Sequence, residues 1–127
     1  MKKILIIDDS EDLLEAMKLF LELQDFKVKT LRDCSNVIEE VKQFDPDVLI
    51  IDVFLSGEDG RDICRELRNI DETKHLCIML LSGSHETLKN YKDFGADISL
   101  EKPFDIKNLL NKIKEVLATC DAQKFQI

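Results

Sequence analysis

No apolar stretch in this 127-residue sequence approaches the roughly 20 residues that a membrane-crossing helix requires. Met1-Lys2-Lys3 is followed by only four apolar residues, Ile4 to Ile7, too few for the core of a secretory leader. A basic excess is also missing. The net charge is -8, which argues against direct nucleic-acid binding and suits contact with other proteins. The four cysteines, Cys34, Cys64, Cys77 and Cys120, form no C-x-x-C pair, so they read as small reduced residues of a cytoplasmic protein. The two histidines, His75 and His85, have no acid or cysteine at ligand spacing and read as surface residues. Repeats, low-complexity tracts and Gly/Ser linkers are absent. The length fits one domain over residues 1–120, with a polar, fraying tail over 121–127. With 44% hydrophobic residues the chain is expected to fold rather than stay disordered.

What is present is an alternation of two periodicities. Strand-like runs occupy 3–7, 27–31, 48–51, 76–81 and 97–101. The first, third and fourth are almost continuously apolar, as central parallel strands covered on both faces should be. Lys27-Val28-Lys29-Thr30-Leu31 alternates and reads as an edge strand. Between the runs lie helical spacings. Leu13, Met17, Phe20 and Leu21 mark the first helix, and Val37, Ile38 and Val41 the second, closed by Asp45-Pro46. Ile63, Leu67 and Ile70 mark the third, entered through Gly57 and Gly60. Leu88, Tyr91 and Phe94 predict a fourth, from a Ser84 cap to Gly95. Ile106, Leu109, Leu110, Ile113, Val116 and Leu117 predict the last, with Asp105 as its N-cap. This (βα)5 pattern implies an α/β fold: a doubly wound parallel five-stranded sheet with right-handed crossovers.

Two of the apolar runs stop abruptly in acid, at Asp8-Asp9 and at Asp52. If those strands are neighbours, three carboxylates meet at one sheet edge. Like charges about 4 Å apart repel by roughly 1 kcal/mol in water and about 4 at an effective dielectric of 20. A cation is required between them, and a hard divalent metal suits oxygen donors. The other strand ends add Ser82-Gly83 and Lys102-Pro103. Open parallel sheets place their sites at this edge. Three acids, a hydroxyl and an ammonium suit the capture of a phosphoryl group by a carboxylate nucleophile.

Each piece alone has a plainer reading. Asp8 and Asp9 could cap the first helix, Asp52 could be a loop-edge acid, Ser82-Gly83 a turn and Lys102 a solvated charge. In combination they carry a resemblance. Ile7-Asp8-Asp9-Ser10, Asp52-x-x-Leu55-x-Gly57-x-Asp59-Gly60, Leu81-Ser82-Gly83 and Glu101-Lys102-Pro103-Phe104 follow the successive strands in order. Over residues 1–118 the chain resembles the receiver domain of bacterial two-component response regulators.

The resemblance implies a flavodoxin-like, chemotaxis-regulator-like sheet of order 2-1-3-4-5. It implies that Asp52 accepts a phosphoryl group from a sensor histidine kinase, a histidine phosphotransfer protein or a small phosphodonor. Mg²⁺ would be held by Asp9 and Asp52, by Asp8 partly through water, and by the backbone carbonyl of Phe54. Ser82 and Lys102 would each engage a phosphoryl oxygen, with output through the helix 4/strand 5/helix 5 region to a downstream effector. Such a domain catalyses only its own phosphorylation and slow dephosphorylation, and so is not an enzyme. A cis Lys102–Pro103 bond is implied as well.

The chain departs from the family pattern at Ser99, three residues before Lys102, where an aromatic ring is common. Aromatic gating in its usual form is therefore not expected. The resemblance implies that Phe54 and Ser84 flank the path of a hydrolysing water, and the bulk of Phe54 then predicts a long-lived phosphoryl group. Ser56 replaces a common proline and loosens its loop. Nothing after residue 118 resembles an effector, so the chain reads as a stand-alone receiver or an excised domain. Lys89, Lys92 and Asp97 hint at a dimer face, but the last helix has no arginine, leaving a monomer or weak dimer. Three other classes fit less well. A flavin carrier would not lead strand one into acids. A phosphorylation-independent scaffold would not need the full acid, serine and lysine set. A phosphatase would need a cap to close over its substrate.

Overall fold

The computed structural model describes residues 1–124. Strands β1 (Lys3–Ile7), β2 (Lys27–Leu31), β3 (Val48–Asp52), β6 (Cys77–Ser82) and β7 (Ile98–Glu101) form one parallel sheet. Two further strands, β4 (Phe54–Leu55) and β5 (Glu58–Asp59), make a small antiparallel hairpin after β3. The sheet order is β2-β1-β3-β6-β7, which is the expected 2-1-3-4-5 topology once the hairpin takes two labels.

Side-chain alternation divides the core in two. Ile4, Ile6, Val48, Ile50, Met79 and Leu81 face α1 (Glu11–Leu23) and α5 (Ile106–Lys124). Leu5, Ile7, Leu49, Ile51, Ile78 and Leu80 face α2 (Val37–Phe44) and α3 (Gly60–Arg68). Both faces of the inner strands are thus dry, which explains their unbroken apolar runs. Parallel registry, with Ile7 beside Ile51 and Ser82 beside Glu101, brings the strand ends to one edge.

Local chemistry settles the helix starts. Ser10, not Asp8 or Asp9, caps α1 by accepting from the Leu13 N–H at 3.3 Å. Asp59 caps α3, and Asp105 accepts from the Asn108 N–H at 2.8 Å as predicted. The predicted fourth helix is broken. A single turn, α4 (His85–Leu88), is followed by a 3-10 turn, η1 (Tyr91–Phe94). The apolar positions Leu88, Tyr91 and Phe94 are three residues apart each time, which matches the period of a 3-10 helix better than 3.6. Ser84 stands at the N-cap position without a side-chain capping bond.

Arginines of α3 hold this broken segment. The Phe94 ring lies 5.0 Å from the Arg61 guanidinium carbon and 4.2 Å from that of Arg65. One turn on, Arg68 donates to the carbonyls of Gly95 (2.6 Å), Lys74 (3.0 Å) and Leu76, and to Asp97 Oδ2 at 2.9 Å. Asp97 also accepts from the Ile78 N–H at 2.8 Å. It is an internal anchor, not the free acid of a dimer face.

The expectation of four reduced cysteines is corrected. Cys77 and Cys120 form a disulfide, with Cα atoms 6.2 Å apart, while Cys34 and Cys64 are buried free thiols. The pair is 43 residues apart in sequence, and only the fold brings the start of β6 against the end of α5. The predicted tail boundary at 121 is also crossed, since α5 runs to Lys124. The rest of that tail, 125–127, lies outside the described residues. His75 and His85 are exposed, as expected.

Arg68 joins α3, the turn before β6 and the start of β7, so its removal strands several polar partners at once. Arg68→Ala should cost about 2–4 kcal/mol in denaturant unfolding. Arg65→Ala, which loses only a stacked contact, should cost less than about 1 kcal/mol.

Candidate functional site

Four of the five sheet strands deliver the candidate functional side chains. Asp8 follows β1, Asp52 ends β3, Ser82 ends β6 and Lys102 follows β7. The Lys102 ammonium sits between two buried acids, 2.7 Å from Asp8 Oδ2 and 2.9 Å from Asp52 Oδ2. Asp8 is fully buried, and its Oδ1 accepts from the Ser10 N–H at 2.8 Å. Asp52 is 5% exposed, and its Oδ1 accepts from the Phe54 N–H at 3.3 Å. Asp9 is exposed and accepts from the Ser56 hydroxyl at 3.4 Å. The Lys102–Pro103 peptide is cis.

Carboxylate oxygens of Asp8, Asp9 and Asp52 lie within 4.8 Å of one another. One ammonium against three carboxylates leaves the cluster short of positive charge. Its all-oxygen donor set fits a hard divalent cation. Burial pushes the Asp52 carboxyl above its usual pKa; the Lys102 contact works against that push and Asp8 adds to it. For Lys102, burial works against the ammonium, but its bonds to Asp8 and Asp52 outweigh it and raise the pKa. The lysine therefore stays charged.

Ser82 is fully buried and joined to Lys102 through the backbone, the Lys102 N–H donating to the Ser82 carbonyl at 2.8 Å. Its hydroxyl belongs to a closed ring of hydrogen bonds. The Ser84 N–H donates to Ser82 Oγ at 3.0 Å, and Thr87 Oγ1 donates to the Ser84 carbonyl at 2.9 Å. Thr87 has one hydroxyl proton, so in the 2.7 Å contact between the two hydroxyls Ser82 is the donor. Sequence reasoning missed Thr87. A Ser-x-Ser-x-x-Thr run at a strand-to-helix turn was the available signal.

The hairpin couples Asp52 to α3. The Gly60 N–H donates to the Val53 carbonyl at 2.8 Å, and a side chain at Gly60 would strike the Asp52 carbonyl oxygen. Only glycine permits that approach. Phe54 meets the cluster through its amide, and the residue is 56% exposed. A cleft of about 460 Å³, lined by Leu13, Gly83, Lys102, Pro103 and Phe104, opens beside the lysine. Around Ser99 a second cleft of about 360 Å³ lies between η1, β7 and α5.

Comparison with known proteins agrees with this geometry. The model of the response regulator receiver domain matches residues 4–114. The response regulator ArlR of Staphylococcus aureus is 31% identical over 117 residues, 92% of this chain. The chain spans about half the length of that relative, 53%. Among solved structures, the chemotaxis response regulator CheY4 of Vibrio cholerae superposes with a TM-score of 0.84 at 26% identity, covering 91% of this chain and 98% of its own. A two-component response regulator of Clostridium difficile gives 0.83 at 27% identity, covering 93% and 97%. With its acids, serine and lysine gathered at one edge of a 2-1-3-4-5 sheet, and with a family match over most of its length, the chain belongs to the response regulator receiver domains of two-component systems.

Proposed function

We propose that this receiver is switched by phosphorylation of Asp52. The observation that carries the reading is the Lys102 ammonium clamped between Asp8 and Asp52, which holds the acceptor carboxylate buried yet beside a fixed positive charge. The donor would be the phosphohistidine of a sensor kinase or phosphotransfer protein. An Asp52 oxygen forms the new O–P bond as the P–N bond breaks, and the imidazole nitrogen leaves with the electron pair. Asp8, Asp9 and Asp52, with the Phe54 carbonyl, would hold Mg²⁺, whose charge offsets that of the phosphoryl oxygens. The apolar cleft of Leu13, Pro103 and Phe104 gives a helical donor protein a place to rest beside Lys102. The domain works in the cytoplasm, as a monomer or weak dimer, and passes its state to an effector. It modifies only itself.

Output begins at Ser82. A phosphoryl oxygen can gain the Ser82 proton only by taking it from Thr87, which opens the hydroxyl ring. Thr87 lies on α4, a single turn held otherwise by one buried side chain, Leu88. Lys102 is pulled toward the same phosphoryl group, and both movements fall on the α4, β7 and α5 face. At Ser99 no ring is available to fill a vacated space, so the loop before α4 carries the change.

Incubation with acetyl phosphate and Mg²⁺ should add one phosphoryl group by intact mass, and Asp52→Asn should abolish it; no gain by the wild type would turn the reading toward a scaffold. Thr87→Ala frees the Ser82 proton and should raise the phosphorylated fraction at limiting donor about fivefold, the value of one hydrogen bond of about 1 kcal/mol. An unchanged fraction would show that Thr87 does not compete. The lifetime of the modified wild type is expected to be long because Phe54 hinders water; decay within seconds in Mg²⁺ buffer would refute that.

A further inference from the structure

At the opposite end of the sheet from Asp52, Cys77 and Cys120 line a cleft of about 270 Å³ together with Lys42, Asp47, Glu72 and His75. We propose that this cysteine pair is a reversible thiol–disulfide site. Low-molecular-weight thiols and disulfides would reach it through the cleft, and it would fasten or release the last turns of α5.

Several observations converge on this. The Cα separation of 6.2 Å lies within the range a disulfide spans without backbone movement, so the bond can form and break in place. The reduced state is also provided for: Cys77 Sγ is 3.4 Å from the Val116 carbonyl oxygen, a ready acceptor for its S–H. Both residues belong to the apolar cluster shared with Val116 and Leu117, so neither state strands a charge. The other two thiols are poor competitors. Burial pushes Cys34 up to about 12 and Cys64 up to about 11, which keeps them protonated and unreactive.

A metal reading is weaker. Among the described residues, the carboxylate grouped with both sulfurs is that of Asp97, which is committed through Oδ2 to Arg68 and the Ile78 N–H. Two sulfurs and one occupied acid fall short of the four ligands of a structural zinc site.

The chemistry balances as thiol–disulfide exchange. The thiolate of a small thiol attacks Sγ of Cys120, at 8% exposed the more open of the two. The S–S bond breaks, and Cys77 leaves as a thiolate that takes a proton. A second small thiol attacks the mixed disulfide, releasing Cys120 as a thiol and forming the small-molecule disulfide. Oxidation is the reverse, with that disulfide as the oxidant. In the oxidised chain the end of α5 is covalently tied to the first residue of β6. In the reduced chain it keeps its apolar contacts and the half-exposed Lys2–Asp121 pair at 3.3 Å, an interaction of small worth.

The test uses the full chain, equilibrated with excess oxidised or reduced glutathione, then denatured, alkylated with N-ethylmaleimide and weighed. Two labels are expected after the oxidant and four after the reductant, with the cross-link mapping to Cys77 and Cys120. Amide exchange over residues 117–122 should quicken about tenfold or more on reduction. Cys120→Ser should show the fast exchange in both conditions. Four labels throughout, two labels that reduced glutathione cannot raise, a bridge to Cys34 or Cys64, or equal exchange in both redox states would overturn the proposal.

Discussion

The fold is organised around one ammonium group held between two buried carboxylates. An ion pair at about 4 Å is worth roughly 4 kcal/mol at an effective dielectric of 20, but each buried ion also loses its water. The arrangement is stable because its other contacts are made as well. Asp8 accepts from the Ser10 amide and Asp52 from the Phe54 amide, so neither acid has an oxygen facing apolar side chains unaided. Those amides belong to the turns that leave β1 and β3. The turn after β3 is tight because Gly60 lets α3 begin directly against the Asp52 carbonyl. Strand registry, turn geometry and the start of α3 thus all serve the same three side chains.

How much of this could be read from the sequence depends on the range of the interaction. The boundaries of β1 and β2 were legible because apolar runs and alternation are local signals. β3 was expected to stop at Ile51, but Asp52 pairs with Leu81 and is the last strand residue. An acid ending an apolar run looks like a loop until its partner strand is known. The convergence of Asp8, Asp52 and Lys102 was legible from the parallel (βα)5 pattern together with the strand order the resemblance implies, because parallel sheets gather their C-terminal ends. The hairpin of β4 and β5 was not, since two-residue strands carry no period. Thr87 went unnoticed because its role rests on proton counting within a ring whose atoms must be located first. The Cys77–Cys120 bond was invisible for the same reason as Arg68: each joins elements far apart in the chain, through contacts that spacing does not encode.

The broken fourth helix has a cause in α3. A continuous helix from Ser84 to Gly95 would carry its apolar residues on a 3.6-residue period, yet Leu88, Tyr91 and Phe94 repeat every three. The 3-10 turn places the Phe94 ring on Arg65 and Arg61, and the following Gly95 turns the chain with φ +90 so that its carbonyl meets Arg68. Aromatic–cation stacking and four guanidinium hydrogen bonds replace the intrahelical bonds that the break gives up. The segment that follows Ser82 is therefore anchored at its far end by the guanidinium contacts of α3, and at its near end by one buried side chain, Leu88, and the Thr87 hydroxyl.

That asymmetry bears on the size of the switch. Trading the Ser82–Thr87 bond for one to a phosphoryl oxygen exchanges a neutral hydrogen bond for a charge-assisted one, a gain of order 1 kcal/mol. Burying an aromatic ring would add roughly 1.5–3 kcal/mol to the favoured state. With Ser99 that second contribution is absent. A shift of about 1.4 kcal/mol changes a two-state population tenfold, so hydroxyl exchange alone moves the equilibrium by about fivefold, where the ring would add roughly one or two decades more. On the proposed phosphorylation of Asp52, a receiver built in this way would change shape only modestly. If Asp52 is phosphorylated as proposed, a partner that reads it reliably would gain most of its discrimination from the added negative charge and the redirected Lys102, and less from a remodelled surface at Ser99.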